Sequence, residues 1–365
     1  MLTWRPAPPG REGSDPGQPG GGSGGLESEA GAQVVSGRAG PSVSPPDNGA
    51  PAWPPVLVAE ELLAHGVVAA FPSRAGGLSR PPYDTCNLGL RVGDEPRAVL
   101  ANRRRVATVL GLAGLPWATV RQVHGSTVAP VELAGLPPGP PEAKPVVAEA
   151  DALVTTDEGV VLAVLVADCV PVLLADAERR VVAAAHAGWR GLAAGVVEAT
   201  AAAFAAAGGR PGASAALVGP AAGPCCYEVG EDVRARVAGR YPEAAATTRG
   251  GRPALDLAAA ATAALTGAGF ARPLLAGECT VHQPERHFSY RRDGGMGRQA
   301  GIVALVPGRE VGRSPALARL REVGQSRALD GLRSDEGAAG DEGATREASA
   351  RSGEGPPTVS VKRRR

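Results

Sequence analysis

The chain has 365 residues, and its Lys+Arg 38 and Asp+Glu 37 leave a net charge of +1. That balance lacks the basic excess on which phosphate-backbone binding depends, so nucleic acid is not an expected partner. No stretch reaches the roughly 18 apolar residues of a membrane span, and the first 30 residues lack the apolar core of a secretory signal. The expectation is therefore a cytoplasmic protein without membrane contact. The five cysteines stand at 86, 169, 225, 226 and 279. Their odd number and irregular spacing predict reduced thiols rather than a disulfide framework.

Gly 51 and Pro 34 are high for a compact chain, and both are dense in the first 55 residues. Residues 1–55 are rich in Gly, Pro and Ser and bury too little apolar surface to offset chain entropy, which predicts a disordered tail. Residues 309–365 return to the same style, with a short helix as an option over Ala316–Leu329. The basic Lys362-Arg363-Arg364-Arg365 run reads as a solvated terminus. Between the tails, 56–308 is expected to be one folded domain.

In chain order, Gly66–Ser73 reads as a strand and Arg74–Ser79 as a Gly-rich turn. Pro96–Leu110 reads as a helix with a charged face at Arg103, Arg104 and Arg105. Ala118–Val131 reads as a strand, and the Pro-rich 132–146 as a surface loop. Gly159–Val166 and Val170–Leu174 are Val-rich apolar runs bent at Asp168-Cys169, and Arg180–Ala185 is a third, ending at His186. Such runs suit buried strands. Leu192–Ala207 is an Ala-rich helix. A strand at Ala215–Val218, helices at Val229–Val237 and Leu255–Leu265, and a closing strand at Gln299–Val306 complete the domain. No GxGxxG follows a strand, and the strict βαβ rhythm is missing. The fold class is mixed α/β, a single layered domain with a mixed β-sheet.

Three short segments place metal-capable side chains at strand ends or bends: Gln122-Val123-His124-Gly125, Asp168-Cys169-Val170-Pro171 and His186-Ala187-Gly188-Trp189-Arg190-Gly191. One thiolate and two imidazoles form a catalytic zinc set that leaves a fourth position open. Spacing alone equally allows His124 as a core histidine and Cys169 as a small buried hydrophobe. Arg190 stands where a helix begins, a suitable anion site. Phe288–Arg298 is dense in Arg and Gly and could close over an anion or form a solvated turn. The adjacent Cys225 and Cys226 are expected to diverge and to serve packing. Two other chemistries remain open: a cysteine hydrolase with Cys169 as nucleophile and His186 or His124 as base, and a copper oxidase. Five histidines are too few for a four-copper centre.

Taken in order, these motifs resemble one family. Arg74-Ala75-Gly76-Gly77, Asn87-Leu88-Gly89, Asn102-Arg103, the three segments above, Gly219-Pro220, Cys225-Cys226-Tyr227-Glu228-Val229-Gly230, Leu255-Asp256-Leu257, Cys279-Thr280 and Phe288-Ser289-Tyr290-Arg291-Arg292 follow the pattern of the YfiH-type proteins. These are also called laccase-domain or polyphenol-oxidase-like proteins and are described as purine nucleoside phosphorylases. The match spans about residues 60 to 306. Departures are Cys86 before Asn87, Met296 in place of a common Thr, and a lengthened 132–146 loop.

The resemblance implies an α/β layered fold and a zinc site of His124, Cys169 and His186, with copper as the alternative metal. It implies phosphorolysis of adenosine, inosine and guanosine, and of S-methyl-5'-thioadenosine, to free base and the sugar 1-phosphate, with an adenosine deaminase side activity. Purine nucleosides and inorganic phosphate are thus the expected partners, with Arg190 and either Arg74 or Arg292 as the phosphate cradle. Asp168, beside a ligand, is a candidate proton shuttle or an orienting partner for a ligand histidine. The sequence specifies no oligomeric state.

Overall fold

The computed structural model describes residues 1–5, 54–137 and 146–308. Both Gly/Pro-rich tails beyond residue 5, and the helix considered over Ala316–Leu329, lie outside the described residues.

The strands are β1 (Leu2–Arg5), β2 (Val56–Ala59), β3 (Val67–Pro72), β4 (Trp117–Arg121), β5 (Val128–Pro130), β6 (Val146–Glu149), β7 (Ala152–Thr155), β8 (Val161–Val166), β9 (Val170–Asp176), β10 (Val181–Ala187), β11 (Ala215–Val218), β12 (Ala245–Thr247), β13 (Pro253–Leu255), β14 (Leu274–Leu275) and β15 (Gln299–Leu305). The helices are α1 (Glu60–Leu63), α2 (Pro96–Val109), α3 (Trp189–Ala194), α4 (Val196–Ala206), α5 (Glu231–Ala238), α6 (Leu257–Gly267) and α7 (Tyr290–Asp293). A seven-stranded sheet runs β1-β2-β3-β15-β8-β4-β6, a six-stranded sheet runs β14-β11-β9-β10-β7-β5, and β12 and β13 form a small hairpin. Each large sheet mixes parallel and antiparallel pairs, for example β4 parallel to β8 and β15 antiparallel to β8.

Strand parity explains the layers. Side chains alternate between faces with a period of two. On β9, Leu173 and Ala175 face Leu162 and Val164 of β8 and Val303 and Leu305 of β15 in a core between the two sheets. On the same strand Val170, Val172 and Leu174 face the opposite way, against α3, α4 and α6. On β8, Val161 and Ala163 pack outward against Val106 and Val109 of α2. Both faces of each central strand are therefore buried, which is why the sequence shows continuous apolar runs rather than alternation. The order of layers is helix, sheet, sheet, helix, a mixed α/β fold as expected.

Several local readings differ. The disordered segment expected from residue 1 does not begin there: β1 pairs antiparallel with β2, and Trp4 Nε1 donates to Glu278 Oε1 at 2.6 Å. The single strand expected over Ala118–Val131 is two, β4 and β5, because the chain turns at Gln122–Thr127, which sets the exposed His124 beside Cys169. The Ala-rich helix expected over Leu192–Ala207 is two, α3 and α4, because Gly195 adopts φ 84, a left-handed conformation glycine enters at no steric cost. Arg103 and Arg105 of α2 are buried instead of forming a charged outer face. Arg103 donates to Leu88 O and Arg105 to Gly76 O. Between them in role, Asn102 Nδ2 donates to Asn87 O while its Oδ1 accepts from Leu78 N at 2.7 Å. The Asn102-Arg103 motif thus fastens the 74–90 loop, one wall of the cleft described next.

Candidate metal centre and its cleft

His124, Cys169 and His186 come from three places in the chain and meet at one point, their donor atoms all within 4.8 Å of one another. Cys169 Sγ lies 4.0 Å from His124 Nε2, and the two imidazoles stand edge to face with centroids 4.8 Å apart. His186 sits near the end of β10, one residue inside the strand rather than at its last position. Cys169 lies in the bend between β8 and β9, and His124 in the turn after β4.

Two of the bends are strained. His124 has φ 62 and Asp168 has φ 85. Non-glycine residues in this region cost of order 1–3 kcal/mol each, and the surroundings must hold them there. Here they do so with carboxylates. Asp151, fully buried at the start of β7, accepts from the backbone N–H of Val123, His124 and Gly125 at 3.2, 2.9 and 2.6 Å. The same carboxylate contacts His186 Nδ1 at 2.8 Å, which leaves Nε2 as the nitrogen free to face an ion. Asp168 accepts from Thr280 Oγ1 at 2.6 Å and from Arg291 N at 2.7 Å.

These contacts correct the sequence reading of Asp168. It bonds neither histidine. Asp151 is the carboxylate that orients a ligand histidine, and both oxygens of Asp168 are already engaged. An acid opening an apolar strand at Glu149-Ala150-Asp151-Ala152-Leu153 was the signal that could have found Asp151.

Burial opposes charge on Cys169, but the neighbouring His186 and the hydrogen bond from His124 outweigh it and pull the thiol down to about 6. Burial likewise opposes charge on His186, and the Cys169 thiolate and Asp151 carboxylate outweigh it, pushing the imidazole up. The thiol is thus lowered toward the thiolate form in which it would bind a metal ion.

The donor set fits an ion. Three protein ligands of His2Cys type match a catalytic zinc site with an open position. A single copper ion accepts the same donors, but a multi-copper centre needs more imidazoles than meet here. Among the described residues only two imidazoles reach this point: His287 contacts Glu278, and His282 lies against Cys225 and Cys226. Neither methionine is placed as an axial ligand: Met1 sits at the chain's N-terminus, ion-paired to Glu61, and Met296 is not on the cleft wall.

Gly188 shows how closely the centre is packed. A Cβ there would lie 2.9 Å from Cys169 Sγ and 3.0 Å from His124 Cδ2. Both atoms belong to the candidate ligand side chains, so Gly188→Ala must displace them. Zinc affinity is expected to fall about 10-fold or more, the size of loss seen when ligand positioning is disturbed. An unchanged zinc competition titration would show that the centre tolerates the methyl group.

The trio lies on the wall of a cleft of about 1050 Å³. Its polar wall carries Arg91, Arg190, Arg291 and Arg298, and its flat surfaces are Trp189, Tyr227 and Tyr290. Arg190, at the second residue of α3, is exposed to the cleft as expected. Arg74 and Arg292 are not on the cleft wall. Arg74 donates to Asp84 O at 2.9 and 2.7 Å and lies 4.5 Å from the Phe288 ring centre. Arg292 donates to Thr280 O, His287 O and both oxygens of Asp293, each at 2.7 Å. These carbonyl and carboxylate bonds tie loops together and hold both guanidinium groups away from the cleft. Their places facing the cleft are taken by Arg291 and Arg298, the first beside a residue expected in the cradle, the second six residues beyond it.

Residues 68–306 match the family described as multi-copper polyphenol oxidoreductase laccase. A protein named purine nucleoside phosphorylase ORF3, from Streptomyces griseus, is 46% identical over 236 residues, 65% of this chain and 93% of that protein. Purine nucleoside phosphorylase SCO2081 of Streptomyces coelicolor is 44% identical over 249 residues, 68% of this chain and 100% of that protein. The crystal structure of the hypothetical protein YfiH from Bacillus licheniformis aligns with a TM-score of 0.63 at 30% identity, covering 71% of this chain and 97% of that one. With the motif order, the paired mixed sheets and these likenesses in agreement, the chain belongs to the YfiH-type, laccase-domain family.

Proposed function

We propose that this protein is a zinc-dependent purine nucleoside phosphorylase. It would act on adenosine, inosine, guanosine and S-methyl-5'-thioadenosine, with adenosine deamination as a side activity. The observation that carries the reading is the His124–Cys169–His186 cluster set in the wall of an arginine-lined cleft with aromatic faces. The names of relatives 44–46% identical to it support the same reading.

Phosphorolysis transfers the sugar from the purine nitrogen to a phosphate oxygen, giving free base and sugar 1-phosphate. The C–N bonding pair leaves with the base, which then takes up a proton. Arg190, with Arg91, Arg291 and Arg298, supplies positive charge for the phosphate. Arg298 Nη1 donates to Gly297 O at 2.8 Å and Arg291 Nη1 to Glu228 O at 2.7 Å, so each is held by one end of its guanidinium before phosphate arrives. The exposed Tyr290 offers a face on which a purine can stack, while Arg190 lies 4.4 Å over the Trp189 ring and Arg291 4.6 Å over the Tyr227 ring. His124, Cys169 and His186 would hold the zinc, and Asp151 would keep His186 in the tautomer that binds it. A bound zinc supplies Lewis acidity to a polar atom of the substrate.

Among the residues lining the cleft, Asp168 is the one carboxylate. Zinc deaminases use a nearby carboxylate to move protons, and here both its oxygens accept hydrogen bonds. That favours phosphorolysis over deamination as the main reaction.

The test is product analysis of adenosine incubated with protein of known zinc content, with and without phosphate. Adenine and ribose 1-phosphate are expected only with phosphate. Inosine forming at the same rate in either buffer would make deamination the main activity. Arg190→Ala is expected to raise the KM for phosphate about 10–100-fold, the equivalent of one charged hydrogen-bonding contact. Arg74→Lys and Arg292→Lys are expected to lower thermal stability while leaving that KM within about two-fold. The reverse pattern would return the phosphate site to the loop arginines.

A further inference from the structure

Cys225 and Cys226 are adjacent, and an extended backbone would point their side chains apart. The chain is not extended there. Cys226 N and Tyr227 N both donate to Gly223 O at 2.9 Å, closing a tight turn at Pro224–Cys226. A second turn at 279–282, closed by His282 N donating to Cys279 O at 3.2 Å, faces it. Cys225 Sγ lies 3.9 Å from Cys279 Sγ and 3.6 Å from His282 Nδ1, and Cys226 Sγ lies 3.0 Å from His282 Nε2. The donor atoms of all four residues lie within 4.8 Å of one another. The expectation that the adjacent pair serves packing therefore fails: the thiols are only half-buried, unlike the fully buried Cys86, and they converge on an imidazole.

We propose that Cys225, Cys226, Cys279 and His282 form a second, closed metal site that takes zinc. Three thiolates and one imidazole are one of the usual sets of structural zinc. Bond lengths of about 2.3 Å to sulfur and 2.0–2.1 Å to nitrogen set tetrahedral edges of roughly 3.8 Å between sulfurs and 3.6 Å from sulfur to nitrogen. The observed 3.9 and 3.6 Å match these edges. The imidazole gives the ion one nitrogen, Nδ1 on the Cys225–Cys279 side; Cys226 Sγ lies within 4.8 Å of the other two sulfurs and, 3.0 Å from Nε2, must rotate toward the ion to complete the set. Binding releases the thiol protons to solvent and involves no change of oxidation state.

This site shares no residue with the first, and its role is mechanical. It ties the turn carrying Tyr227, which lines the cleft, to the turn carrying Thr280, whose hydroxyl donates to Asp168 beside Cys169. A metal that joins two turns in the folded chain but not in the unfolded one stabilises the fold by linkage.

The experiment measures zinc per full-length chain after loading and removal of excess metal. Wild type is expected to hold two ions, Cys169→Ser one, Cys279→Ser one, and the double variant none. Cobalt(II) replacing zinc in Cys169→Ser is expected to show the visible absorption of a tetrahedral thiolate site, together with protection of three thiols from alkylation until a chelator is added. One zinc in wild type and none in Cys169→Ser would overturn the proposal. So would two thiols missing from a titration of the metal-free protein and recovered by reductant, since that pattern is a disulfide. The wild-type and Cys169→Ser measurements decide the matter even if Cys279→Ser does not fold.

Discussion

Cys169→Ser is expected to empty the His124–Cys169–His186 centre and to lower phosphorolysis by about 10²–10³-fold, as the loss of several kcal/mol of metal-supplied charge stabilisation implies. A serine hydroxyl is a poor replacement for a thiolate that its neighbours hold ionised down to about 6. The two remaining imidazoles make too few ligands for a stable site. Chelation of the wild-type protein should reproduce the loss, and added zinc should reverse it. A cysteine hydrolase with Cys169 as nucleophile would behave oppositely: it would survive chelation and be killed by alkylation even with zinc present. Steady-state rates of wild type under chelation, with and without zinc restored, separate the two chemistries. Activity that persists after the metal is gone would remove the zinc reading.

Asp151→Asn is expected to weaken zinc binding about 10–100-fold, the usual cost of losing a partner that orients a ligand histidine. The effect should be larger than for an ordinary carboxylate-to-amide change. The two oxygens of Asp151 serve His186 Nδ1 and three backbone N–H groups in the strained turn at His124. An amide replaces one of those oxygens with an NH2 that faces donors. Leaving buried donors unpaired costs about 1–3 kcal/mol each. At roughly 2–4 °C per kcal/mol for a domain of this size, Tm is expected to fall by about 5–15 °C. Zinc competition and calorimetry measure the two effects separately. Asp168→Asn is the comparison: it loosens Thr280 and Arg291 but touches neither histidine, so its loss of zinc affinity should be clearly smaller than that of Asp151→Asn. Equal loss in both variants would mean that the carboxylates act through the fold alone.

The amino-acid sequence by itself determined the family and the mixed α/β class, and it singled out His124, Cys169 and His186 as the candidate trio that the fold brings together. Those features rest on local pattern. Val-rich runs at Val161–Val166 and Val170–Asp176 mark strands buried on both faces, and His124, Cys169 and His186 stand in the short motifs that carry the family resemblance. What only the tertiary structure decided depends on contacts between distant segments. Arg74 and Arg292 look as suitable for phosphate as Arg291 and Arg298 until the carbonyls and carboxylates around each guanidinium are known. Asp151 reads as one acid at a strand start until the fold sets it beneath the His124 turn and against His186, 35 positions away. Leu2–Arg5 lies in a polar, Gly-rich neighbourhood and becomes a strand because β2 offers it an open edge and Glu278 accepts from Trp4, 274 positions on. Cys225 and Cys226 point to a metal site only because a tight turn brings them to Cys279 and His282, more than 50 positions away. In each case the residue type allows several partners, and the choice among them is made by chain closure over long separations, which local pattern does not encode.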